Sequence, residues 1–189
     1  MSSASHIARL KEALSTRILV LDGAMGTMIQ RLRFGEEDYR GDEFRDHPVD
    51  LKGCNDLLVL TQPEAILNIH REYVEAGSDI IETNSFNATS IAMEDYSLEE
   101  HVHAMNKAAA ELARQAADEA DRPVWVAGVL GPTNRTASIS PDVEDPGKRG
   151  VTFEELRHSY AEACHGLIEG GADILFVETI FDTLNAKAA

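Results

Sequence analysis

Asp22 and Glu178 are the residues whose types and positions best suit chemistry. Asp22 follows the apolar run Ile18-Leu19-Val20-Leu21 and opens the turn Asp22-Gly23-Ala24-Met25-Gly26-Thr27. Glu178 stands in the same relation to the run Asp173–Val177. Two further runs end in Glu82-Thr83-Asn84 and in Gly131-Pro132-Thr133-Asn134-Arg135. Acids, amides and hydroxyls gathered in this way suit a small polar ligand carrying an ammonium group, because a charge-assisted hydrogen bond is roughly twice as strong as a neutral one. Strand-end acids also cap neighbouring helices or pair with lysines, and spacing alone does not separate these uses. Gly23 and Gly26 permit tight turning and close approach of a ligand to peptide N–H groups. Amides at the start of the following helix suit a carboxylate. The segment is neither a dinucleotide fingerprint nor a P-loop, since it has no third glycine at the required spacing and no Gly-Lys-Ser/Thr.

These residues need elements to position them. Three helix starts carry the pattern of a capping box: Thr61-Gln-Pro-Glu64, Ser97-Leu-Glu-Glu100 and Thr152-Phe-Glu-Glu155. Apolar stripes follow at helical spacing. They are Ile66, Ile69, Tyr73 and Val74; then Val102, Met105, Ala109, Leu112 and Ala116; then Leu156, Tyr160, Ala163 and Leu167. A leader helix over 1–15, with Ile7, Leu10 and Leu14 on one side, precedes the first apolar run. The runs Ile18–Leu21, Asp79–Ile81, Val124–Leu130 and Asp173–Val177 are nearly unbroken in hydrophobicity, as parallel strands covered on both faces should be, and predict strands near 18–22, 79–83, 124–130 and 173–178. LLVL at 57–60 leaves no room for a crossover and reads as a packed lead-in to the next helix.

Two units resemble each other: Glu75-Ala-Gly-Ser-Asp-Ile-Ile-Glu-Thr83 and Glu169-Gly-Gly-Ala-Asp-Ile-Leu-Phe-Val-Glu-Thr179. In both, a glycine ends a helix, an aspartate starts a strand, and Glu-Thr lies at the strand's far end. Repeated βα units predict an α/β fold, either a TIM-type barrel or a doubly wound sheet. A full (β/α)8 barrel takes about 250 residues. The 189 residues, with four such units, therefore predict a single truncated domain over 1–189: the first half of a barrel, four parallel strands side by side in chain order.

Composition narrows the partners. Hydrophobic content of 43% and charged content of 26% are those of an ordinary globular protein. A net charge of -16 argues against nucleic acid, whose phosphates need a basic surface. No apolar stretch approaches the roughly 20 residues that cross a bilayer, and the N-terminus has no signal-peptide core. Cys54 and Cys164 have no metal-ligand spacing and read as free thiols in a reducing, cytoplasmic compartment.

The segments ILVLDGAMGTMIQ, NDLLVLTQPEAI, EAGSDIIETNSFNATSIAM, AGVLGPTNRTASISPDV and GGADILFVETIFDTLNAKAA occur in order over residues 16 to 189. Together they resemble the N-terminal homocysteine-binding module of cobalamin-dependent methionine synthase. The resemblance implies a TIM barrel and a methyltransferase of methionine biosynthesis. In that family an active-site zinc holds homocysteine as a thiolate, which takes the methyl group of methylcobalamin; methyltetrahydrofolate regenerates that methyl group on later modules. It implies that Asp22 and Glu178 take the homocysteine ammonium and that Gly23, Ala24 and Met25 lie beside its carboxylate. Thr83 and Asn84 would be at the ligand-facing end of the second strand. The expected partners are homocysteine and the folate, cobalamin and activation modules of a full-length protein.

The departure from the family lies at the chemistry. Its three zinc cysteines belong to the second half of the barrel, beyond Ala189 in sequence, and neither Cys54 nor Cys164 matches one. Cys164 reads as packing on the inward stripe of a helix and Cys54 as a loop thiol. His101 and His103 point to different faces of a helix; His70 and His158 read as surface residues. A free thiol has a pKa near 8.5, so little is thiolate at neutral pH without a metal. The expectation is a fragment that grips the amino acid, binds no zinc or cobalamin, has no catalytic residue of its own and is inactive alone. Two alternatives are a fragment of a shorter zinc-dependent homocysteine methyltransferase using betaine or S-methylmethionine, and a non-catalytic binding or assembly module. Open strand edges also predict self-association. The segment 131–150 suits a wall of the site, an interface or a solvated loop, and Arg135 suits either substrate or a nearby acid. The run Glu36-Glu37-Asp38 reads as solvated surface.

Overall fold

The computed structural model of the chain describes residues 3–189, so the first two residues of the expected leader lie outside it. Five helices precede the first strand, and helices and strands then interleave: α1 (Ser3–Thr16), α2 (Met25–Leu32), α3 (Glu36–Arg40), α4 (Leu58–Thr61), α5 (Pro63–Ala76), β1 (Ile80–Glu82), α6 (Ser90–Met93), α7 (Val102–Asp118), β2 (Trp125–Leu130), α8 (Phe153–Glu169), β3 (Ile174–Val177) and α9 (Thr183–Ala188). The strands form one parallel sheet in the order β1-β2-β3, with Ile80 opposite Trp125 and Ala127 opposite Ile174. Parallel neighbours require a crossover, which α7 and α8 supply. The architecture is that of a partial TIM-type barrel.

The expected first strand is present only as a pairing segment. Leu21 bridges Ile80 in parallel, and Val20 and Asp22 exchange backbone hydrogen bonds with Asp79 and Ile80. Beyond that bridge the run is exposed, Ile18 to 89% and Val20 to 54%. Hydrophobicity made it read as a buried strand, but its outer side has no packed layer. β2 behaves as expected, with all six residues buried. β3 does not: Leu175 and Val177 on one face are 42% and 43% exposed.

The repeat has a structural cause. Gly77 (φ 107°) and Gly171 (φ 96°) end α5 and α8 in the left-handed region that favours glycine. Ser78 N–H then reaches back to Tyr73 O (3.1 Å), as Ala172 N–H does to Leu167 O (3.0 Å). Next in each unit comes the aspartate. Asp79 Oδ2 accepts the Val20 N–H at 2.9 Å, and Asp173 Oδ2 accepts the Val126 N–H at 2.8 Å. Arg17 and Arg114 hold the respective carboxylates at 2.7 and 2.9 Å. Each unit's opening acid is thus fastened to the strand before it.

The helix stripes pack as their spacing requires. Val102, Met105, Ala109 and Ala116 on α7 and Leu156, Tyr160, Ala163 and Leu167 on α8 are all buried. On α5, Ile66 and Ile69 are buried, and Tyr73 and Val74 lie partly buried at the edge of the core. On α1 Leu10 is buried while Leu14 is 58% exposed. Of the expected capping boxes only Thr152 forms one, its hydroxyl taking the Glu155 N–H (3.2 Å) while Glu155 takes the Thr152 N–H (2.7 Å). Thr61 instead closes α4; α5 starts from Gln62 with Pro63 in the first turn, where its missing N–H costs nothing. Ser97 ends a short 3-10 turn at φ 54°, so it cannot adopt the extended backbone of a cap. The LLVL lead-in is helical, with Leu57, Leu58 and Val59 buried and Leu60 partly so.

Three further expectations are corrected. His70 is fully buried rather than at the surface, and neither ring nitrogen has a hydrogen-bond partner. Cys54 is not an incidental loop thiol: it is 2% exposed, with Sγ 3.6 Å from Met93 Sδ. Glu36 is not free surface charge, since its carboxylate takes the Leu51 and Lys52 N–H groups at 2.8 and 2.7 Å. Cys164 packs against the α8 cluster from a half-buried position, and His158 is exposed.

Candidate functional site

At the C-terminal end of the sheet a cleft of about 520 Å³ opens between the pairing segment at Leu21, β1 and β3. Asp22, Gly23, Ala24, Met25, Thr83, Asn84 and Glu178 all line it. They reach it from three chain segments, because neighbouring parallel strands end on the same edge. Asp56, Glu82 and Asn87 line it too, and the lining contains four carboxylates and no lysine, arginine or histidine.

Backbone geometry marks the same place. Ala24 (φ 50°) and Thr179 (φ 55°) both lie in the cleft and both hold the left-handed conformation. For β-branched Thr179 this conformation is a genuine outlier, and such strain concentrates where a chain is shaped around a ligand. Gly23 and Gly26 are not at positive φ, and a Cβ at either would meet nothing within 4 Å. The turn therefore runs through Ala24, and the two glycines leave open space instead. No side chain caps α2, whose first N–H groups begin at Met25 beside that space.

The acids differ in what holds them. Asp22 Oδ1 accepts the Glu82 N–H at 2.9 Å. Burial raises the Asp22 carboxyl to about 7, and the nearby Glu82 and Glu178 carboxylates add to the rise. Glu82 is likewise raised to about 7 by burial and by Glu178. Asp56 is 4% exposed; burial raises it to about 6, offset in part by the Asn87 N–H at 2.9 Å. Three acids that resist ionisation in one basin make it receptive to a cation.

Thr83 reaches the cleft with its hydroxyl already engaged, and Asn84 with its side-chain nitrogen engaged. Thr83 Oγ1 accepts the Val129 N–H (2.9 Å) and bonds Ser85 Oγ (2.7 Å). Asn84 Nδ2 donates to Asn55 O (2.7 Å), and Tyr39 OH donates to Asn55 Oδ1 (2.7 Å). Both residues brace the wall. Arg135 pairs with Glu94 and is not among the residues lining the cleft. Within 131–150, Ala137 N–H and Ser138 N–H bond Asn185 and Asp182 on the α9 side, while Val143 is fully exposed.

A metal is not supported by the residues in place. Among the described residues no three His, Cys, Asp or Glu side chains are grouped to hold an ion. The Cys54 thiol, pushed up to about 12 by burial and then by Asp56, is a poor ligand where it stands. Sequence reasoning did not assign Glu82 and Asp56 to the site. Glu82 was visible as a strand-end acid beside Thr83, whereas Asp56 sits in a 3-10 turn (Asn55–Leu57) that no periodicity announces.

Residues 19–189 match the profile of the homocysteine S-methyltransferase family. The chain belongs to that family. Its fold is similar to that of the homocysteine methyltransferase MmuM from Escherichia coli in its oxidized form, at TM-score 0.70 and 24% identity over 95% of this chain. It is also similar to the metallated form, at TM-score 0.68 and 22% identity over 93% of this chain. The chain spans 59% and 58% of those two chains. Likenesses at this identity show the fold.

Proposed function

We propose that the cleft binds the amino-acid end of homocysteine and that the chain serves a methionine synthase. Asp22 and Glu178 take the substrate ammonium, and the α2 start at Gly23-Ala24-Met25 takes its carboxylate. The observation that carries this is the cleft itself: acids at the same end of parallel segments, an uncapped helix start and no basic side chain, in a chain matching the family over residues 19–189. An α-amino acid has the complementary charges. The chemistry of methyl transfer lies outside what these residues do. They bind and orient the amino acid, and the thiol is left for another group to activate.

The methylcobalamin-dependent type is supported by the run through DGAMGTMIQ and GPTNRTASISPDV. In such a protein the methyl donor would arrive on later modules, with zinc supplied by cysteines that this chain does not contain. The chain by itself is expected to grip homocysteine and not to methylate it, in a cytoplasmic setting. Calorimetric titration with L-homocysteine tests the grip. Asp22→Asn and Glu178→Gln should each weaken binding by on the order of 1.5–3 kcal/mol, the range for a hydrogen bond to a charged group. The double variant should lose less than the sum if both acids hold one ammonium. Wild-type affinity in both single variants would remove the assignment.

A further inference from the structure

We infer that Glu82 is a third acceptor of the substrate ammonium and makes the cleft selective for a primary, unmethylated amino group. This rests on the homocysteine reading above. A primary ammonium carries three N–H donors. The cleft presents three carboxylates from three segments of one parallel sheet: Asp22 from the pairing segment, Glu82 from the end of β1, and Glu178 just after β3. Asp22 and Glu82 are locked to each other through the 2.9 Å bond between the Glu82 N–H and Asp22 Oδ1. That bond fixes the register of the two chain ends, so the two acids share one edge of the basin. Glu178 is near enough to act electrostatically on both of the others.

The count of donors and acceptors gives the same answer. Asp22, Glu82 and Glu178, with Asp56 from the 3-10 turn, are the charged groups lining the cleft. Two acceptors would satisfy an ammonium only in part, leaving one N–H and one carboxylate unmatched in a partly dehydrated site. A third acceptor completes the set. An N-methyl amino acid has one donor fewer and brings a methyl group against a carboxylate, so it is rejected for lack of a hydrogen bond as well as for bulk.

The arrangement also couples binding to protons. Without ligand Asp22 and Glu82 hold their protons up to about pH 7. An ammonium favours their ionised forms, so its binding releases protons to solvent. Affinity therefore rises between about pH 6 and 8, until the ligand's own ammonium begins to deprotonate.

The test is calorimetry of the chain with L-homocysteine and with N-methyl-L-homocysteine, in two buffers of different ionisation enthalpy. The wild-type chain should prefer the primary amine by about tenfold or more, the size of one charge-assisted hydrogen bond, and should release protons near pH 7. Glu82→Gln should lose about tenfold in homocysteine affinity, shrink that preference and flatten the pH dependence. A wild-type chain that binds both ligands equally overturns the inference without any variant. So does a Glu82→Gln chain that keeps the affinity, the proton release and the preference while Asp22→Asn and Glu178→Gln lose affinity; the homocysteine reading then stands. If the wild type does not bind homocysteine, or if Asp22→Asn and Glu178→Gln leave affinity intact, that reading falls and this inference falls with it.

Discussion

The Asp22 carboxylate takes its one cross-strand hydrogen bond from the backbone N–H of Glu82, at 2.9 Å. An acid that could have been neutralised by a lysine is held by a peptide group, in a basin with two other acids at strand ends. The site is thus organised at a cost to the folded chain.

That cost is measurable. A carboxyl raised in the folded state from 3.8 to about 7 favours folding while it is protonated, and this contribution is lost as pH rises through about 7. Asp22→Asn keeps an oxygen for the Glu82 N–H and removes the charge. It should raise the melting temperature at pH 8 by about 2–4 °C, the shift expected of 1 kcal/mol in a chain this long, and the gain should shrink as pH falls below 7 and vanish only below about pH 4, where the unfolded carboxyl is protonated too. A melting temperature at pH 8 equal to or below that of the wild type would contradict the burial argument.

His70 works in the opposite sense. Burial depresses its imidazole to about 4, while the unfolded chain titrates near 6.5. The unfolded state binds more protons in that window, so this contribution to stability is lost as pH falls from about 6.5 to 4. His70→Leu replaces two unpartnered ring nitrogens with apolar volume and should stabilise the chain at pH 7 by on the order of 1–2 kcal/mol. Urea titrations at pH 7 and pH 5 should show the larger gain at pH 5. A loss at both values would indicate a polar partner for the ring.

Asp79 should matter more to the fold than to the site. Its carboxylate meets Arg17 through two bonds of 2.7 and 2.8 Å and takes the Val20 N–H, and Arg17 holds its pKa below the ordinary value. Asp79→Ala should cost on the order of 2–3 kcal/mol, and Asp79→Asn, which keeps an acceptor for Val20, less. The wild-type contribution is present above about pH 4 and is lost as pH falls below the ordinary aspartate range. Equal denaturation midpoints for Asp79→Ala and wild type would show that the contact does not support the sheet.

The outer side of β3 predicts association. Leu175 and Val177 stand exposed on a strand that, among the described residues, pairs only with β2. Sedimentation velocity should show self-association that rises with concentration. Leu175→Lys should reduce it, because an edge lysine opposes pairing with another strand. An unchanged monomer peak at every concentration would remove the idea.

Much of this was legible in the residues. The stripes on α7 and α8, the parallel order of the strands and the Gly-Asp repeat follow from spacing that the backbone enforces. Asp22 and Glu178 could be placed on one edge because parallel strands end together. Cap chemistry was less legible: Thr61 and Ser97 carry the right residues, but a preceding helix and a 3-10 turn claim them first. The burial of His70 depends on which helix face meets which neighbour, and that of Cys54 on a loop packing against Met93. Asp56 was hidden for a related reason, since a 3-10 turn contacting a distant loop leaves no periodic trace.

The two aspartate fastenings have a direction. In each, the acid belongs to the later segment and the amide to the earlier one: Asp79 to Val20, Asp173 to Val126. A segment can be clasped only once its predecessor is already in place, while nothing in the clasp requires a successor. The sheet can therefore be laid down from the amino end, with β1 and β3 each fastened to the segment before it. That order is the one in which a ribosome delivers the chain.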